Sequence, residues 1–537
     1  MTWRATDPQG NESGKVKYDI VQYTRGEGID VGCGPHKAFP HMVGVDSGKD
    51  AELFGIAMKP DVVCEDAAKL DCQTDSLDFV FSSHLLEHIQ DTQAALTEWW
   101  RILKVGGYLV LYLPHKDLYP RIGQPGANPD HVHDFDQHDI RAAMEQVGGW
   151  TLLEEQVRSG GTEYSFLQVF QKRNDGKQII SLPVKTDCKT VCVVRYGGFG
   201  DQIQAANILP ELKRQGYHVT FMTTPKGQDI LRHDPHIDAW LLQDEDQVPN
   251  QELSDYWAVM ERRFGKFVNL CESVEGTLIA MPGRANHMWP QNLRRIELNK
   301  NYLEWTSRLA ELPYTSEAKF YASADETAKA KRYLADIKNG LAFSLRPLQR
   351  VPDRFNVLWC LSGSSIHKFY PHQDAVIYQV LRDMPEAVIV LSGDYACKIL
   401  ESGWEKNPRI KCESGEMSIR GTLTLAQNVD CVVGPETGVL NAVAFEPMGK
   451  VIMLSHSSQE NLTKHWVNTH SLVAPQDDSV PCKNIACHRL HYGPEFCSVD
   501  KATGAASCQI AITPEKVLQA IRAHYNAWKN TSIRVAP

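Results

Sequence analysis

The chain has 537 residues, of which 42% are hydrophobic and 23% are charged, and its formal net charge is −10 at pH 7. This length exceeds a single hydrophobic core, so roughly two to four globular domains are expected. The acidic balance disfavours a protein that holds nucleic acid by bulk positive charge. The apolar runs are too short to span a membrane and the first residues lack the apolar core of a signal peptide, so we expect a cytoplasmic protein.

Short β-rich runs alternate with helical stretches from Gly28 to about Arg173, which predicts a mostly parallel sheet flanked by helices. The strand candidates in this block are Gly28–Val31, Met42–Asp46, Asp61–Cys64, Leu77–Ser82, Tyr108–Leu113, Thr151–Val157 and Tyr164–Gln171. A polar stretch with turn-forming residues follows, and we expect it to be a linker.

Two further blocks show the same alternation. The first has expected strands at Val191–Arg195 and His218–Thr223, with a helix over about Asp201–Gln215 between them. The strands expected in the second are Gly340–Leu345, Asn356–Ser362, Ala387–Ser392, Cys431–Val433 and Lys450–Leu454. The predicted fold class is therefore α/β. We place a Rossmann-like domain at residues 1–175, a linker at 176–189 and two Rossmann-like lobes at 190–335 and 336–537.

A tight turn follows the first strand. The segment Ile29–Pro35 places Gly32 and Gly34 in a Gly-x-Gly turn, and glycines are needed where backbone must approach a ligand closely. Asp46 ends the second strand, where a carboxylate can accept hydrogen bonds from both hydroxyls of a ribose. Asp66 follows the third strand, where it can accept from an adenine amino group. The ordered combination predicts a site for an adenosine-containing ligand.

Two later segments give this block a resemblance to a known family. Leu77–His88 resembles the fourth motif of class I methyltransferases, and Glu98–Gly107 resembles their E-x-x-R-x-L-K-x-G-G helix and turn. The resemblance implies a Rossmann-like methyltransferase domain that uses S-adenosyl-L-methionine. The residues that it assigns to this methyl donor are Asp30, Gly32, Gly34, Asp46, Asp66 and Ala67.

A dinucleotide-binding Rossmann domain is the competing interpretation of the same turn. Its fingerprint has a third glycine, and Pro35 and His36 stand where that glycine is common. The Glu87–His88 pair and the Lys104–Gly107 turn have no role in such a domain, so the methyl-donor interpretation is favoured. Glu87 and His88 could equally be a pair that packs or caps a helix.

Three histidines are the candidates for work on the methyl acceptor: His84, His131 and His133. The last two follow a Gly/Pro-rich loop of the kind that covers the mouth of a pocket, and they could serve as general base or metal ligands. The alternative is a lid in which Asp136 or Asp139 only caps a helix.

The second block opens with a strand, a glycine-rich turn and the start of a helix in Val193–Asp201. Backbone N–H groups of such a turn face an anionic ligand. The turn also exposes Arg195 and Asp201 at the carboxyl end of a strand, where α/β sites lie. Taken alone, Asp201 could be only a helix cap.

Two segments of the third block repeat this design. Leu361–Pro371 is a strand followed by small hydroxyl residues and then Lys368, which suit a phosphate. Cys431–Gly438 is a strand that ends in a turn carrying Glu436, and the helix that follows would point its N-terminus at phosphate. Together with the first turn, these segments predict a cleft for a nucleotide diphosphate.

The three segments resemble the heptosyltransferase-like members of the two-lobed GT-B glycosyltransferases, in glycosyltransferase family 9. That family carries an R-x-x-x-x-G-D turn, a G-S-S-x-x-K-x-W-P loop and a D-T-G-x-x-H helix start. The resemblance implies that Asp201 takes the proton of the acceptor hydroxyl and that Lys368 neutralises the leaving diphosphate. The residues that it assigns to the nucleotide-sugar donor are Arg195, Gly200, Ser364, Ser365, Lys368, Glu436, Thr437, Gly438 and Asn441.

Two departures from the family pattern concern the donor. Glu436 replaces the usual aspartate, and Asn441 replaces the usual histidine, which leaves the identity of the donor open. Three arginines in the second block could bind an anionic acceptor or be a solvated surface: Arg284, Arg294 and Arg295.

Four late cysteines form a separate cluster: Cys482, Cys487, Cys497 and Cys508. Their spacing is loose for a zinc finger, so a structural zinc ion, two disulfides and four plain thiols all stay open. We expect no other metal.

The first functional hypothesis is a bifunctional transferase of glycan biosynthesis that carries out S-adenosyl-L-methionine-dependent methyl transfer and glycosyl transfer to a glycan or another hydroxyl-bearing acceptor. The second is an enzyme that adds sugar and methyl groups to nucleic acid, which the acidic charge disfavours. The third is a fusion in which one half only binds its ligand.

Overall fold

The computed structural model describes residues 11–49, 59–182, 189–271, 290–315, 318–344, 353–363, 365, 368–475, 477–480, 487 and 497–534. The chain divides into two compact units. The first comprises residues 1–188 together with 241–265, and the second comprises residues 189–240 and 266–537.

The first unit is built on one sheet, which has eight strands within the described residues. They are β1 (Gly28–Val31), β2 (Val43–Asp46), β3 (Val62–Val63), β4 (Leu77–Ser83), β5 (Leu103–Pro114), β6 (Trp150–Gly160), β7 (Glu163–Lys172) and β8 (Gln178–Ile180). The order across the sheet is β3-β2-β1-β4-β5-β7-β6-β8. Strands β1 to β5 pair in parallel, whereas β7 pairs antiparallel with both β5 and β6.

Helices of the first unit lie before the first strand, between later strands and in the segment 241–265. They are Ser13–Val16, Thr92–Ile102, Gln137–Met144 and Leu253–Glu261, with 3₁₀ turns at Val21–Tyr23 and Leu86–His88. The helix Thr92–Ile102 begins where the Asp91 side chain accepts a hydrogen bond from the Ala94 N–H at 2.9 Å. It buries Leu96, Trp99 and Ile102 against the sheet, as an amphipathic helix does.

The segment 241–265 belongs to the first unit although it lies inside the sequence range expected for the second block. The buried Gln247 amide donates to the backbone carbonyls of Val21 at 2.7 Å and Thr24 at 3.0 Å. Lys17 forms a 2.7 Å ion pair with Glu252. These contacts fix the N-terminal residues of the unit through a part of the chain more than 200 residues away.

The second unit contains two sheets within the described residues. One has the order β11-β10-β9-β12, formed by β9 (Lys189–Val194), β10 (Tyr217–Thr223), β11 (Ala239–Leu242) and β12 (Lys266–Asn269). The last two residues of β11 belong to the segment 241–265 of the first unit. The other has the order β15-β14-β13-β16-β17-β18, formed by β13 (Phe355–Cys360), β14 (Ala387–Ser392), β15 (Ile410–Cys412), β16 (Cys431–Pro435), β17 (Gly449–Met453) and β18 (Thr469–Leu472). All five pairings in this second sheet are parallel.

The described helices of the second unit cover the faces of these sheets. They are Phe199–Ala205, Leu209–Arg214, Pro225–Leu231, Gln291–Leu298, Tyr302–Leu309, Ala324–Ser344, Gln373–Asp383, Ile419–Ala426, Gly438–Ala442, Ser507–Ile510 and Pro514–Arg534. No helix within the described ranges is long and apolar enough to cross a membrane.

The predicted α/β class is confirmed by these three sheets, and most strands lie within two residues of their expected positions. The expected strand Gly340–Leu345 is wrong, because residues up to Ser344 continue the helix Ala324–Ser344. The expected linker is not wholly irregular, since β8 pairs in parallel with β6. Residues 183–188 of that linker lie outside the described residues.

A buried arginine joins the two lobes of the second unit. Arg420 is 3% exposed, and its guanidinium donates to both carboxylate oxygens of Glu326 at 2.7 Å. It also donates to the carbonyls of Ile230 at 2.7 Å and Tyr321 at 2.9 Å. The Arg420 hydrogen bonds hold the pKa of the Glu326 carboxyl well below its usual range. The pair thus ties the helices Pro225–Leu231, Ala324–Ser344 and Ile419–Ala426 together.

We expect Glu326→Gln to lower the free energy of unfolding of the second unit by about 3 kcal/mol at pH 7, because it leaves a buried guanidinium without its counter-charge. A carboxyl whose pKa is depressed by folding contributes stability above its unfolded pKa, about 4.3, and loses it as the pH falls. The difference between the wild type and the variant should therefore shrink in acid. Chemical denaturation at pH 7 and pH 3 measures this, because the loss occurs below the unfolded pKa of about 4.3.

The matched control is Glu311→Gln, which removes an exposed carboxylate 3.4 Å from Lys266. It should change the free energy of unfolding by less than about 1 kcal/mol at either pH. An equal effect of the two substitutions would contradict the stabilising role of the Arg420–Glu326 pair.

Candidate functional site

A glycine turn follows β1 in the first unit. Gly32 has a φ of +76° and Gly34 a φ of +55°, which are left-handed values that favour glycine. A Cβ atom on Gly32 would lie 2.8 Å from the Leu85 side chain, so the turn packs directly on the loop after β4. Asp30 is buried beneath it and accepts from the Ala38 N–H at 3.0 Å. Burial raises the pKa of the Asp30 carboxyl to about 7.

Asp46 lies at the end of β2 and is held against the same turn. One carboxylate oxygen accepts from the Gly34 N–H at 3.0 Å and the other from the Gly48 N–H at 2.9 Å. Asp66 lies in an exposed turn after β3, where it accepts from the Ala68 N–H at 3.0 Å. The neighbouring Ala67 accepts from the Trp99 indole at 2.9 Å through its carbonyl. All six residues predicted for the methyl donor thus lie at or just beyond the carboxyl ends of β1, β2 and β3.

The loop after β4 carries the first predicted acceptor histidine. His84 has a left-handed φ of +50°, which is uncommon for a residue with a side chain. Its Nε2 atom is 2.9 Å from the Ser165 hydroxyl, and its Nδ1 atom is 3.8 Å from Glu87. Burial lowers the pKa of the His84 imidazole to about 3 and raises that of the Glu87 carboxyl to about 8.

The loop 119–136 brings His131 to the same place but not His133. The His131 Nε2 atom is 3.9 Å from a Glu87 carboxylate oxygen, whereas the His133 Nε2 atom is 3.2 Å from the Gln90 carbonyl. The proposed capping role of Asp136 is present, because its side chain accepts from the N–H groups of the first turn of Gln137–Met144. Asp136 therefore caps the helix that follows the loop, and the loop also brings His131 close to Glu87.

A cavity of about 650 Å³ in the second unit collects most of the residues predicted for the sugar donor. Those that line it are Gly200, Lys368, Glu436, Thr437, Gly438 and Asn441, and the predicted base Asp201 lines the same cavity. They come from the ends of β9, β13 and β16, in two different sheets. Ser364 lies outside the described residues, and Ser365 accepts from the Lys368 N–H at 2.8 Å through its carbonyl.

Asp201 occupies the first turn of Phe199–Ala205 without capping it, because the N-cap residue is Gly198. Arg195 is buried behind it, with 3.5 Å between the Arg195 guanidinium and the Asp201 carboxylate. That guanidinium also donates to the Leu270 carbonyl at 3.2 Å and the Tyr302 hydroxyl at 3.1 Å. Arg195 is thus placed to orient Asp201 from behind, and Asp201 faces the cavity.

Glu436 is buried at the end of β16 and binds the loop that follows β17. One carboxylate oxygen accepts from the N–H groups of Ser455 at 2.6 Å and Ser457 at 3.0 Å, and the other contacts the His456 imidazole. Burial alone would raise the pKa of the Glu436 carboxyl, but His456, Lys368 and the Ser455 N–H hold it well below its usual range. Glu436 is therefore a charged residue of the cavity wall that also holds the loop 455–457 in place.

Sequence reasoning missed His456 and Ser457, which line the cavity through this loop. The signal that could have found them is the run of small hydroxyl residues around a histidine directly after an apolar strand. Such a run at a strand end repeats the pattern that identified Lys368.

The remaining candidates stay predictions. Arg284 and Cys482 lie outside the described residues, and Arg294 and Arg295 belong to the helix Gln291–Leu298. Of the other late cysteines, Cys508 is buried and two are half-buried, Cys487 and Cys497.

The comparison with protein families bears on the first unit. Residues 29–111 match the family model described as a methyltransferase domain. The first unit contains a methyltransferase domain. A curated relative, the malonyl-[acyl-carrier protein] O-methyltransferase of Laribacter hongkongensis, is 34% identical over 105 residues, which are 19% of this chain. The matched region spans 35% of that relative's length. A methyltransferase domain of this kind implies S-adenosyl-L-methionine as the methyl donor.

Solved structures similar to the chain fall into two groups. The ADP-heptose LPS heptosyltransferase II of E. coli is 14% identical with a TM-score of 0.42, covering 64% of this chain and 99% of that one. A glycosyl transferase family 9 structure from Veillonella parvula is 11% identical with a TM-score of 0.45, covering 63% and 97%. A SAM-dependent methyltransferase of Thermotoga maritima is 18% identical with a TM-score of 0.23, covering 30% and 95%.

Two helices meet at the cavity without room for a side chain. A Cβ atom on Gly200 would lie 2.8 Å from the Gly438 Cα atom and 2.9 Å from the Asn441 side chain. We expect Gly200→Ala to lower the free energy of unfolding of the second unit by about 1–3 kcal/mol, because backbone must move to admit the methyl group. Chemical denaturation measures the change.

The control for this substitution is Gly421→Ala, on the helix Ile419–Ala426. The nearest atom to a Cβ there is the Ser418 hydroxyl oxygen at 3.2 Å, which caps the helix by accepting from the Gly421 N–H, and a small shift of that side chain admits the methyl group without loss of the cap. A loss of stability in Gly421→Ala as large as that in Gly200→Ala would contradict the importance of the close approach.

Proposed function

We propose that the chain is a bifunctional transferase, in which the first unit transfers a methyl group from S-adenosyl-L-methionine and the second transfers a sugar from a nucleotide-sugar donor to a hydroxyl group. The match of residues 29–111 to a methyltransferase domain carries the first half. The cavity lined by Asp201, Lys368 and Glu436 carries the second half. We infer that the chain acts in the cytoplasm, in the biosynthesis of a glycan.

The residues of the first unit suit the methyl donor. Gly32 and Gly34 leave the turn after β1 free of side chains, so backbone can approach the ligand. The Asp46 carboxylate already accepts from Gly34 and Gly48, and its remaining lone pairs are available to ribose hydroxyls. The bound donor would supply an electrophilic methyl group. The protein's part is to hold it at this edge of the sheet and to orient the acceptor.

We expect Asp46→Ala to weaken binding of S-adenosyl-L-methionine by about 1–3 kcal/mol, because ribose hydroxyls and the Gly34 N–H lose their acceptor. Isothermal titration measures the affinity. The control is Asp61→Ala, which removes an exposed carboxylate that accepts from the Gly44 N–H of the same strand at 2.8 Å. Unchanged affinity in a folded Asp46→Ala variant would remove Asp46 from the donor site.

The geometry of the second unit suits inverting glycosyl transfer without a metal. Asp201 faces the cavity while Arg195 orients it, so its carboxylate can take a proton from an acceptor hydroxyl as the new bond forms. Lys368 lines the same cavity, where an ammonium group would neutralise charge on a departing diphosphate. His456 and Ser457 add polar groups to the wall on which a donor would lie.

We expect Asp201→Asn to reduce the turnover number for glycosyl transfer by about 10²–10⁴-fold, because an amide keeps the size of the side chain but cannot accept the proton. The affinity for the nucleotide sugar should stay within about twofold, since the substitution alters the acceptor's base rather than the donor's contacts. The assay uses whichever donor of a nucleotide-sugar panel the chain binds.

Lys368→Ala is the contrasting variant. It should weaken donor binding as well as turnover, because the ammonium faces the diphosphate before reaction as well as during it. Near-normal transfer by Asp201→Asn would mean that the base lies elsewhere in the cavity wall.

A further inference from the structure

Three potential metal-ligating side chains converge beside the methyl-donor turn: Glu87, His88 and His131. One ligand atom from each lies within 4.8 Å of the others. Glu87 and His88 come from the 3₁₀ turn Leu86–His88 after β4, and His131 comes from the loop 119–136. His131 follows His88 by more than 40 residues in the sequence, so their meeting is a property of the fold.

The buried carboxyl group of Glu87 lacks hydrogen-bond partners. The side chain is 1% exposed, and neither carboxylate oxygen has a hydrogen-bond partner. One oxygen faces the His131 Nε2 atom at 3.9 Å and the His84 Nδ1 atom at 3.8 Å. A buried polar group is rarely left in this state, because its lost hydration costs about 1–3 kcal/mol or more. A bound cation in the space between these atoms would remove that cost.

The surroundings fix the tautomer and the position that a metal would need. The His88 Nδ1 atom is 3.1 Å from the Asp130 carbonyl, to which it can donate, and that leaves the Nε2 lone pair free to bind a metal. The Glu87 carbonyl accepts from the N–H groups of Val132 at 2.9 Å and His133 at 3.2 Å. These bonds attach the loop that carries His131 directly to the residue that carries the carboxylate.

We propose that Glu87, His88 and His131 bind a divalent first-row transition-metal ion such as Zn²⁺. Two imidazoles and one carboxylate form a ligand set that such ions accept. Two atoms that bind one Zn²⁺ at about 2.1 Å each lie roughly 3.0–3.5 Å apart, so small side-chain rotations would close the cluster on the ion. Three protein ligands leave a coordination position open, as catalytic sites do.

The location of the cluster suggests which ligand would bind the open coordination position of the metal. This step rests on the proposed methyl transfer. Leu85 precedes Glu87 and His88 by only two and three residues in the sequence, and its side chain packs against Gly32 of the donor turn. His88 is half-buried whereas Glu87 and His131 are buried, so the cluster opens on the His88 side. An oxygen of the methyl acceptor bound there would lie near the donor.

The test is metal binding by the full chain. Wild type, Glu87→Gln and His131→Ala are stripped with a chelator, and each is titrated with Zn²⁺ against a competing chelator and with Co²⁺ by absorption. The control is His133→Ala, which removes a histidine of the same loop whose ring contacts the Gln90 carbonyl instead. The late cysteines are unchanged in every protein, so zinc that they hold cancels in the comparison.

The proposal predicts that wild type and His133→Ala each bind one equivalent of metal at the cluster. Glu87→Gln and His131→Ala should bind this equivalent at least about tenfold more weakly. Chelator should also lower the thermal midpoint of the wild type by more than that of Glu87→Gln, since a metal that binds only the folded state stabilises it and any zinc held by the late cysteines affects both proteins equally. Equal metal affinity in wild type, Glu87→Gln and His131→Ala would overturn the site.

Two further measurements keep the result interpretable. His88→Gln alters a half-buried ligand, so it replaces any variant whose circular dichroism shows misfolding. Binding of S-adenosylhomocysteine is measured in parallel on every protein. If the chain binds S-adenosylhomocysteine but no metal, the metal site alone is overturned. If it binds the metal but no S-adenosylhomocysteine, the proposed methyl transfer alone is overturned.

Discussion

Parallel strand pairing is the constraint on which both candidate sites depend. It brings the carboxyl ends of neighbouring strands to one edge of a sheet, so residues far apart in sequence meet there. Asp30 and Asp46 meet in this way at the ends of the parallel strands β1 and β2. Glu436 and the loop that it binds follow β16 and β17, which also pair in parallel.

At these strand ends, a buried charge needs hydrogen-bond partners, and two backbone segments that approach closely need residues without side chains. Glu436 is buried, and its charge is maintained by two N–H groups and the His456 imidazole. Asp201 is oriented by a buried Arg195 that has its own partners in Leu270 and Tyr302. Gly200 and Gly438 provide the gap, because the two backbones approach too closely for a Cβ atom. The cavity wall is therefore set by residues that a ligand would not touch as well as by those it would.

Glu87 is the contrasting case. Its carboxylate is as buried as that of Glu436 but lacks the N–H donors that hold Glu436. The difference between the two carboxylates is the physical reason for proposing a cation beside one and not the other.

Local patterns predicted the central strands well. Ala387–Ser392 is observed with the expected bounds, because a buried parallel strand is a continuous apolar run with turn residues on either side. Gly340–Leu345 misled because a short apolar run near a glycine fits a strand as well as the end of a long helix. The positions of Asp46 and Asp201 followed from their places at strand ends, which sequence spacing encodes.

What local patterns could not predict is contact between distant segments. The membership of 241–265 in the first unit depends on bonds such as that from Gln247 to Val21, and nothing in either segment marks the other as its partner. The contact of Glu436 with His456 has the same origin, because nothing in the sequence around Glu436 marks His456 as its partner. The meeting of Glu87 with His131 also needed the fold.

Native mass spectrometry of the full chain with S-adenosyl-L-methionine and a panel of nucleotide sugars tests the central claim most directly. If each unit holds its own donor, one nucleotide sugar of the panel and S-adenosyl-L-methionine should add to the same molecule, and the occupancy of either should be independent of the other. Competition between the two ligands for a single site, or binding of only one of them under any condition, would contradict the account.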